Sequence, residues 1–171
     1  MVMSYPELEV IEKTAIEEEV FYPYIPTLLT FREAPVLLKC FKHIHSEPDV
    51  IIFDGQGILH PRSMGLATHM GIILDKPAIG CAKSPLTGKI KQPAIKKGSC
   101  EYITDKNGRV IGASLRTRDN VKPVYVSIGQ KIDLENALKI VISCATKYRI
   151  PEPLRYAHNL AGKLRKSKDQ Y

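Results

Sequence analysis

Residues 50–57, VIIFDGQG, run four apolar residues into an aspartate and then set two glycines around a glutamine. A carboxylate at the end of an apolar strand must be solvated, paired or bound to a cation. Asp54 is therefore a candidate ligand for a divalent metal, and Gly55 and Gly57 let a bound group approach the backbone. The competing use of Asp54-Gly55 is a plain turn after the strand. Glu33 is the second candidate carboxylate, and it suits equally well the role of box partner to an N-cap at Thr30. Lys83 follows the apolar run 77–82, PAIGCA, which would bring its ammonium to the sheet edge that carries Asp54 if the two strands are parallel.

Three of the five histidines stand near this chemistry. His60 precedes Pro61-Arg62 in a loop and is expected to be exposed. His69 lies on a helical stretch, where a hydrogen-bonded, partly buried imidazole is the plain alternative to a functional one. His158 sits between Arg155 and Lys163, a setting that suits a phosphate. His43 and His45 close a lysine-flanked helix end and complement its dipole. Tyr22 and Tyr24 alternate with Pro23 and Pro26 on a stiff segment. Their rings either stack on or wedge between bases, or pack on the protein's own core.

These groups need elements to position them. Residues 1–23 read as a hairpin that turns at Tyr5-Pro6-Glu7 and continues as a long second strand. A helix capped at Thr30 is expected to bury Leu37, Leu38, Phe41 and Ile44. The run DVIIF reads as a fully buried strand, followed by a helix packing Leu66, Met70, Ile73 and Leu74, and then by PAIGCA. That order is a βαβ crossover with its ligand site beyond the strand carboxyl ends. A hairpin turning at 105–108, a strand over KPVYVSIG, a helix capped by Asp133 and a last basic helix from Leu154 complete the pattern. In the third helix Leu134, Leu138, Val141 and Ile142 are expected to face inward.

The chain has 171 residues, enough to bury a core without disulfides. Its four cysteines are scattered, which argues against structural zinc and fits reduced thiols in a cytoplasmic protein. No apolar run is long enough to span a bilayer, and the acidic start has no signal-peptide pattern. Net charge is +7, but the first 20 residues hold six of the 18 acids and one of the 25 strong bases, so the remainder carries +12. Such a surface attracts phosphates, although lysines that merely keep the protein soluble would look the same.

Taken together, PYIPTLLTFREAP, PDVIIFDGQGILHPRSMGLATHMG, PAIGCAKSPL, SLRTRDNVKPVYVSIG and YRIPEPLRYAHNLA resemble endonuclease V, an inosine-directed nuclease family, across residues 5–165. The resemblance implies an α/β, ribonuclease-H-like fold, a mixed sheet flanked by helices, in a single domain over 1–171 with a basic tail at about 163–171. It implies a Mg²⁺-dependent endonuclease of DNA repair, with Mn²⁺ as the alternative ion, that recognises deoxyinosine and cuts one nucleotide to its 3′ side. Glu33 and Asp54 then match metal ligands, while Lys83 and His158 match basic catalytic companions. Pro23, Tyr24, Ile25 and Pro26 match a strand-parting wedge, and the backbone at Gly55 a pocket for the flipped base. Arg32, His60 and His69 match residues of nucleic-acid contact or site support. The partner is inosine-containing DNA or RNA, with no membrane, and a monomer is expected.

The sequence departs from the family pattern at its start. The family has a first strand bearing an aspartate, and no segment here matches it, so the chain is expected to be N-terminally incomplete, with its first strand missing. The alternative function is then an impaired enzyme that binds inosine-containing nucleic acid without cutting it. Thr27 stands where a glycine is common in the wedge loop, and Ile128 and Gln130 stand where proline and histidine are frequent.

Overall fold

Runs of β-branched and apolar residues separated by turn-forming clusters fold here into a mixed sheet with helices on both faces. The computed structural model describes residues 1–168, and the end of the basic tail, 169–171, lies outside the described residues. Among the described residues there are seven strands and four helices. They follow the order β1 (Val2–Met3), β2 (Val10–Glu12), α1 (Leu29–Phe41), β3 (Ile51–Phe53), α2 (Leu66–Leu74), β4 (Ala78–Ala82), β5 (Cys100–Thr104), β6 (Val110–Leu115), β7 (Val124–Gln130), α3 (Leu134–Cys144) and α4 (Glu152–Lys168).

The main sheet has the order β3-β4-β7-β6-β5. Strands β3 and β4 are parallel, with Phe53 beside Gly80, and the remaining pairs are antiparallel. The expected βαβ crossover is present, and it delivers Asp54 and Lys83 to one end of two neighbouring strands. Alternation along β4 sorts the core. Ile79 and Cys81 join Val124, Val126, Ala137 and Val141 under α3, whereas Ala78 joins Phe53, Leu66, Ala67 and Met70 under α1 and α2. Leu134, Leu138 and Ile142 pack on the first of these clusters as expected. Asp133 caps α3 by accepting from the Asn136 N–H at 2.8 Å. The 105–108 turn closes the β5-β6 hairpin through Asp105, whose Oδ1 accepts from the N–H groups of Asn107 and Arg109.

The structure corrects four expectations. The second arm of the N-terminal hairpin is short: β2 ends at Glu12, whose carboxylate leaves the ladder to accept from the backbone N–H groups of His45 and Ser46. These bonds, His45 first, hold the Glu12 carboxyl down at about 2. Thr30 is not an N-cap. Helix α1 begins at Leu29 with Leu28 at its cap position and no side-chain cap bond, and Thr30 is buried inside the first turn. Ile73 faces solvent at 54% exposure, because α2 presses the Gly71 side of the helix against Ala78 and Gln130 and turns Ile73 away. Finally, Ile51 and Ile52 of β3 are only half-buried, since β3 is an edge strand with a single partner among the described residues.

Candidate active site

The carboxyl end of β3 and the end of β4 place Asp54 and Lys83 side by side, and Lys83 Nζ donates to Asp54 Oδ2 at 2.7 Å. Both side chains are about half exposed, so the pair adds at most about 1 kcal/mol to stability. Its value lies in keeping a carboxylate and an ammonium at one solvent-accessible edge. Arg149 braces the arrangement from behind, with Nη2 donating to the Lys83 carbonyl at 2.9 Å and to the Pro123 carbonyl at 2.7 Å.

Glu33 enters from the first turns of α1. Freed from any capping duty, its carboxyl is half-buried, and burial raises its pKa above the ordinary 4.5. The charge of Asp54 raises it further, while Arg32 next to it pulls the other way. The Asp54 charge thus acts on the Glu33 carboxyl and opposes its ionisation. Arg32 itself donates through Nη1 to the Tyr22 carbonyl at 2.6 Å.

The loop between Asp54 and Leu59 lies directly on the sheet. Gly57 N–H donates to Ser127 Oγ at 2.9 Å and Ile58 N–H to the Ile128 carbonyl at 2.9 Å. A Cβ on Gly57 would overlap the Ile128 carbonyl, so the residue must be glycine for the loop to sit this low. Gln56 is buried between the two glycines and donates through Nε2 to the Ser84 carbonyl at 2.7 Å, while its Oε1 is buried without a hydrogen-bond partner.

His60 is 6% exposed, contrary to the expectation of an open loop histidine. The chain folds back at Pro61, so the ring is enclosed between the 27–31 segment and α2 and contacts the Thr27 carbonyl. Its Nδ1 accepts from the Arg62 N–H at 3.2 Å, and burial lowers its pKa below the ordinary value. His69 is partly buried, its Nδ1 facing the Gly65 carbonyl at 3.2 Å and its ring edge-on to Phe31 at 6.1 Å.

In the 20–28 segment Tyr22 packs tilted on Phe31 at 5.9 Å, whereas Tyr24 is 70% exposed and Ile25 is exposed between Pro23 and Pro26. Tyr22 thus has a neighbouring ring, itself largely exposed, whereas Tyr24 stands mostly in solvent. His158 is exposed on α4, on the wall of a cavity of about 710 Å³ that Met1, Val10, Lys13, Tyr156 and Lys163 also line. No hydrogen bond or ion pair joins it to Asp54 or Lys83 among the described residues.

The geometry has a counterpart among known proteins, since the family profile described as Endonuclease V matches residues 1–159. The chain belongs to the endonuclease V family. Endonuclease V of Dictyoglomus turgidum is 51% identical over 157 residues, a match covering 92% of this chain and 68% of that protein. The crystal structure of endonuclease V from Bacillus subtilis superposes with a TM-score of 0.93 at 37% identity, covering 98% of this chain and 72% of the other. A Ciona intestinalis endonuclease V solved in complex with a 24mer DNA containing an inosine followed by a ribo-adenosine matches at TM-score 0.84 and 31% identity, covering 96% of this chain and 77% of that one. These relatives bear the name of an endonuclease, which places the chain among the nucleases, a class of hydrolase.

Within this endonuclease V fold, three residues that tie loops together near the candidate site were assigned no role from the sequence. Gln56 donates to the Ser84 carbonyl, Arg149 to the carbonyls of Lys83 and Pro123, and Arg62 to the Thr27 hydroxyl. Each acts by bonding backbone carbonyls or hydroxyls of distant segments, and such partners cannot be read from residue type. No helix among the described residues is long and apolar enough to cross a membrane.

Proposed function

We propose that this chain is a divalent-cation-dependent endonuclease of DNA repair. It acts on inosine-containing DNA and hydrolyses the phosphodiester one nucleotide 3′ of deoxyinosine. The observation that carries this reading is the half-buried Glu33 carboxyl set against Asp54 at an open sheet edge. Two like charges held together at a cost are compensated when a cation sits between them. The donor set suits Mg²⁺ or Mn²⁺, which take one or two protein carboxylates and fill their remaining positions with water and phosphate oxygens. A bound ion of this kind polarises the phosphate and lowers the pKa of an attacking water.

The protein's own groups have distinct tasks in this reading. Glu33 and Asp54 hold the ion, and Lys83 exchanges its bond to Asp54 for one to the scissile phosphate, steadying the charge that develops there. His158, carried on α4, orients or deprotonates water. Tyr24 and Ile25, stiffened by Pro23 and Pro26, enter the duplex and part the strands. The low backbone at Gly55 to Gly57 receives the flipped base. Inosine pairs weakly, so extruding it costs less than extruding an ordinary base. Arg32, His60 and His69 support the wedge and the neighbouring helices. RNA containing inosine is a second substrate candidate, the protein acts as a monomer, and the cytoplasm is its compartment.

The test is incubation of the purified protein with inosine-containing duplex, an adenine control and Mg²⁺ or Mn²⁺. A cut one nucleotide 3′ of inosine, lost in Asp54→Asn, is the expected result, and cutting of both duplexes alike rejects the reading. A second reading has an observation of its own: no group of three or more His, Cys, Asp or Glu side chains that would hold a metal occurs among the described residues. On that reading the chain binds inosine-containing nucleic acid without cutting it, and tight binding with no metal-dependent product distinguishes it.

A further inference from the structure

Residues 20–28, the last part of the connection from β2 to α1, have no strand or helix of their own, yet they carry Phe21 at 84% and Tyr24 at 70% exposure. A loop with rings so exposed and so little packing would ordinarily wander. This one is held at both ends by guanidinium groups. Arg32 donates to the Tyr22 carbonyl at 2.6 Å on one side. On the other, Arg62 Nη1 donates to Thr27 Oγ1 at 2.7 Å and approaches the Thr27 carbonyl at 3.4 Å.

Thr27 itself is strained, with φ at +69° in the left-handed region that a β-branched residue avoids. Such a conformation persists only where its surroundings over-determine it. Here the surroundings are Arg62 on the hydroxyl and carbonyl and the His60 ring on the same carbonyl. The clamp has room to fail, because a cavity of about 130 Å³ lies behind Thr27, lined also by Phe31, His60, Met64 and His69. Without Arg62 the loop can relax into it.

Arg62 also belongs to the segment that carries Asp54. The Arg62 N–H is fixed on His60 Nδ1 at 3.2 Å, and the Ser63 N–H on the His60 carbonyl at 2.8 Å, so the turn is rigid. We infer that Arg62 is the positioning residue that aims the 23–26 wedge relative to the Asp54 edge, locking Thr27 in its left-handed conformation. The inference rests on the strand-parting reading of that segment given above. Arg62 works through the loop and touches neither the reacting phosphate nor the base.

A positioning role of this kind predicts a difference between substrates. Parting strands matters only where strands are paired, so Arg62→Met should weaken binding to an inosine-containing duplex by about tenfold or more, the worth of one charge-assisted hydrogen bond. Binding to the same inosine strand in single-stranded form should stay unchanged. A 2-aminopurine beside the inosine should brighten when the wild-type protein opens the duplex and stay dim with Arg62→Met, while Arg62→Lys, which keeps one donor for Thr27 Oγ1, restores part of the signal. In a Thr27→Gly background, where the hydroxyl is gone and the left-handed conformation is free, Arg62→Met should cost less than it does alone.

Equal losses on duplex and single strand, the pattern of a lost phosphate contact or a damaged fold, overturn the inference. So does full duplex opening by Arg62→Met, or additivity with Thr27→Gly. Failure of the underlying reading looks different: the wild-type protein would then bind the inosine single strand no tighter than its adenine counterpart, and the inference would fall with it.

Discussion

The interior strands and the 13–33 segment meet opposite demands. In β4 every residue is buried, in β7 all but two, and the loop at Gly57 lies so close to them that a single added carbon has no space. From the end of β2 into the first turns of α1, by contrast, aromatic rings stand in solvent, Thr27 is strained, and Glu33 holds a carboxyl where burial and Asp54 both oppose its charge. The first region is arranged for packing. The second keeps features that cost stability, which is where strain and misplaced charge belong when a site must meet a charged ligand.

The sharpest way to break this comparison is Gly57→Ala. Its Cβ would meet the Ile128 backbone, which has nowhere to move within the sheet, so a loss of about 3 kcal/mol or more is expected in urea unfolding, with poor soluble yield. Tolerance of alanine there would mean that the loop is not seated on β7.

Glu33→Gln should move stability and function in opposite directions. Because the folded-state pKa of Glu33 is raised, its stabilising contribution is full below the ordinary 4.5 and is lost as pH rises through the raised value. At neutral pH the ionised side chain therefore opposes folding in the metal-free protein. The glutamine variant should melt higher at pH 7, by about 2–4 °C for each kcal/mol relieved, and the gain should vanish below pH 4. Metal-dependent cleavage should be lost. A lower melting temperature at pH 7 would show that Glu33 is a structural partner instead.

Tyr24→Ala should leave stability within about 0.5 kcal/mol, since the residue is largely exposed, and should reduce binding to inosine-containing duplex. The smallest effect belongs to Glu12→Gln. The carboxylate is depressed to about 2, so its contribution is present above 4.5 and fades only as pH falls toward 2. Removing its charge should speed hydrogen exchange at the His45 and Ser46 amides at neutral pH while leaving the main-sheet amides protected. Exchange rates unchanged by the variant would separate the hairpin anchor from these bonds.

Much of the architecture was legible because it follows from local rules. Alternation, turn residues and an Asp133 cap marked the β5-β6 hairpin, β7 and α3, and the strand-helix-strand order marked the parallel pair that sets Asp54 beside Lys83. The misses share a different cause. Thr30 had the side chain of a cap and Glu33 that of its box partner, yet the helix starts two residues earlier with Thr30 buried in its first turn, and the Glu33 carboxyl feels the charge of Asp54. His60 read as open because Pro61 follows it, and it is closed in by a segment more than 30 positions away.

The sequence by itself determined the strands and helices, the family and the identity of the charged groups, since periodicity, turn chemistry and motif order are properties of neighbouring residues. Only the tertiary structure decided which of those groups are desolvated, which repel and which bond a distant carbonyl. Burial and Coulomb energy depend on distances through space, and those arise when β3, α1 and the 60–62 turn are brought together.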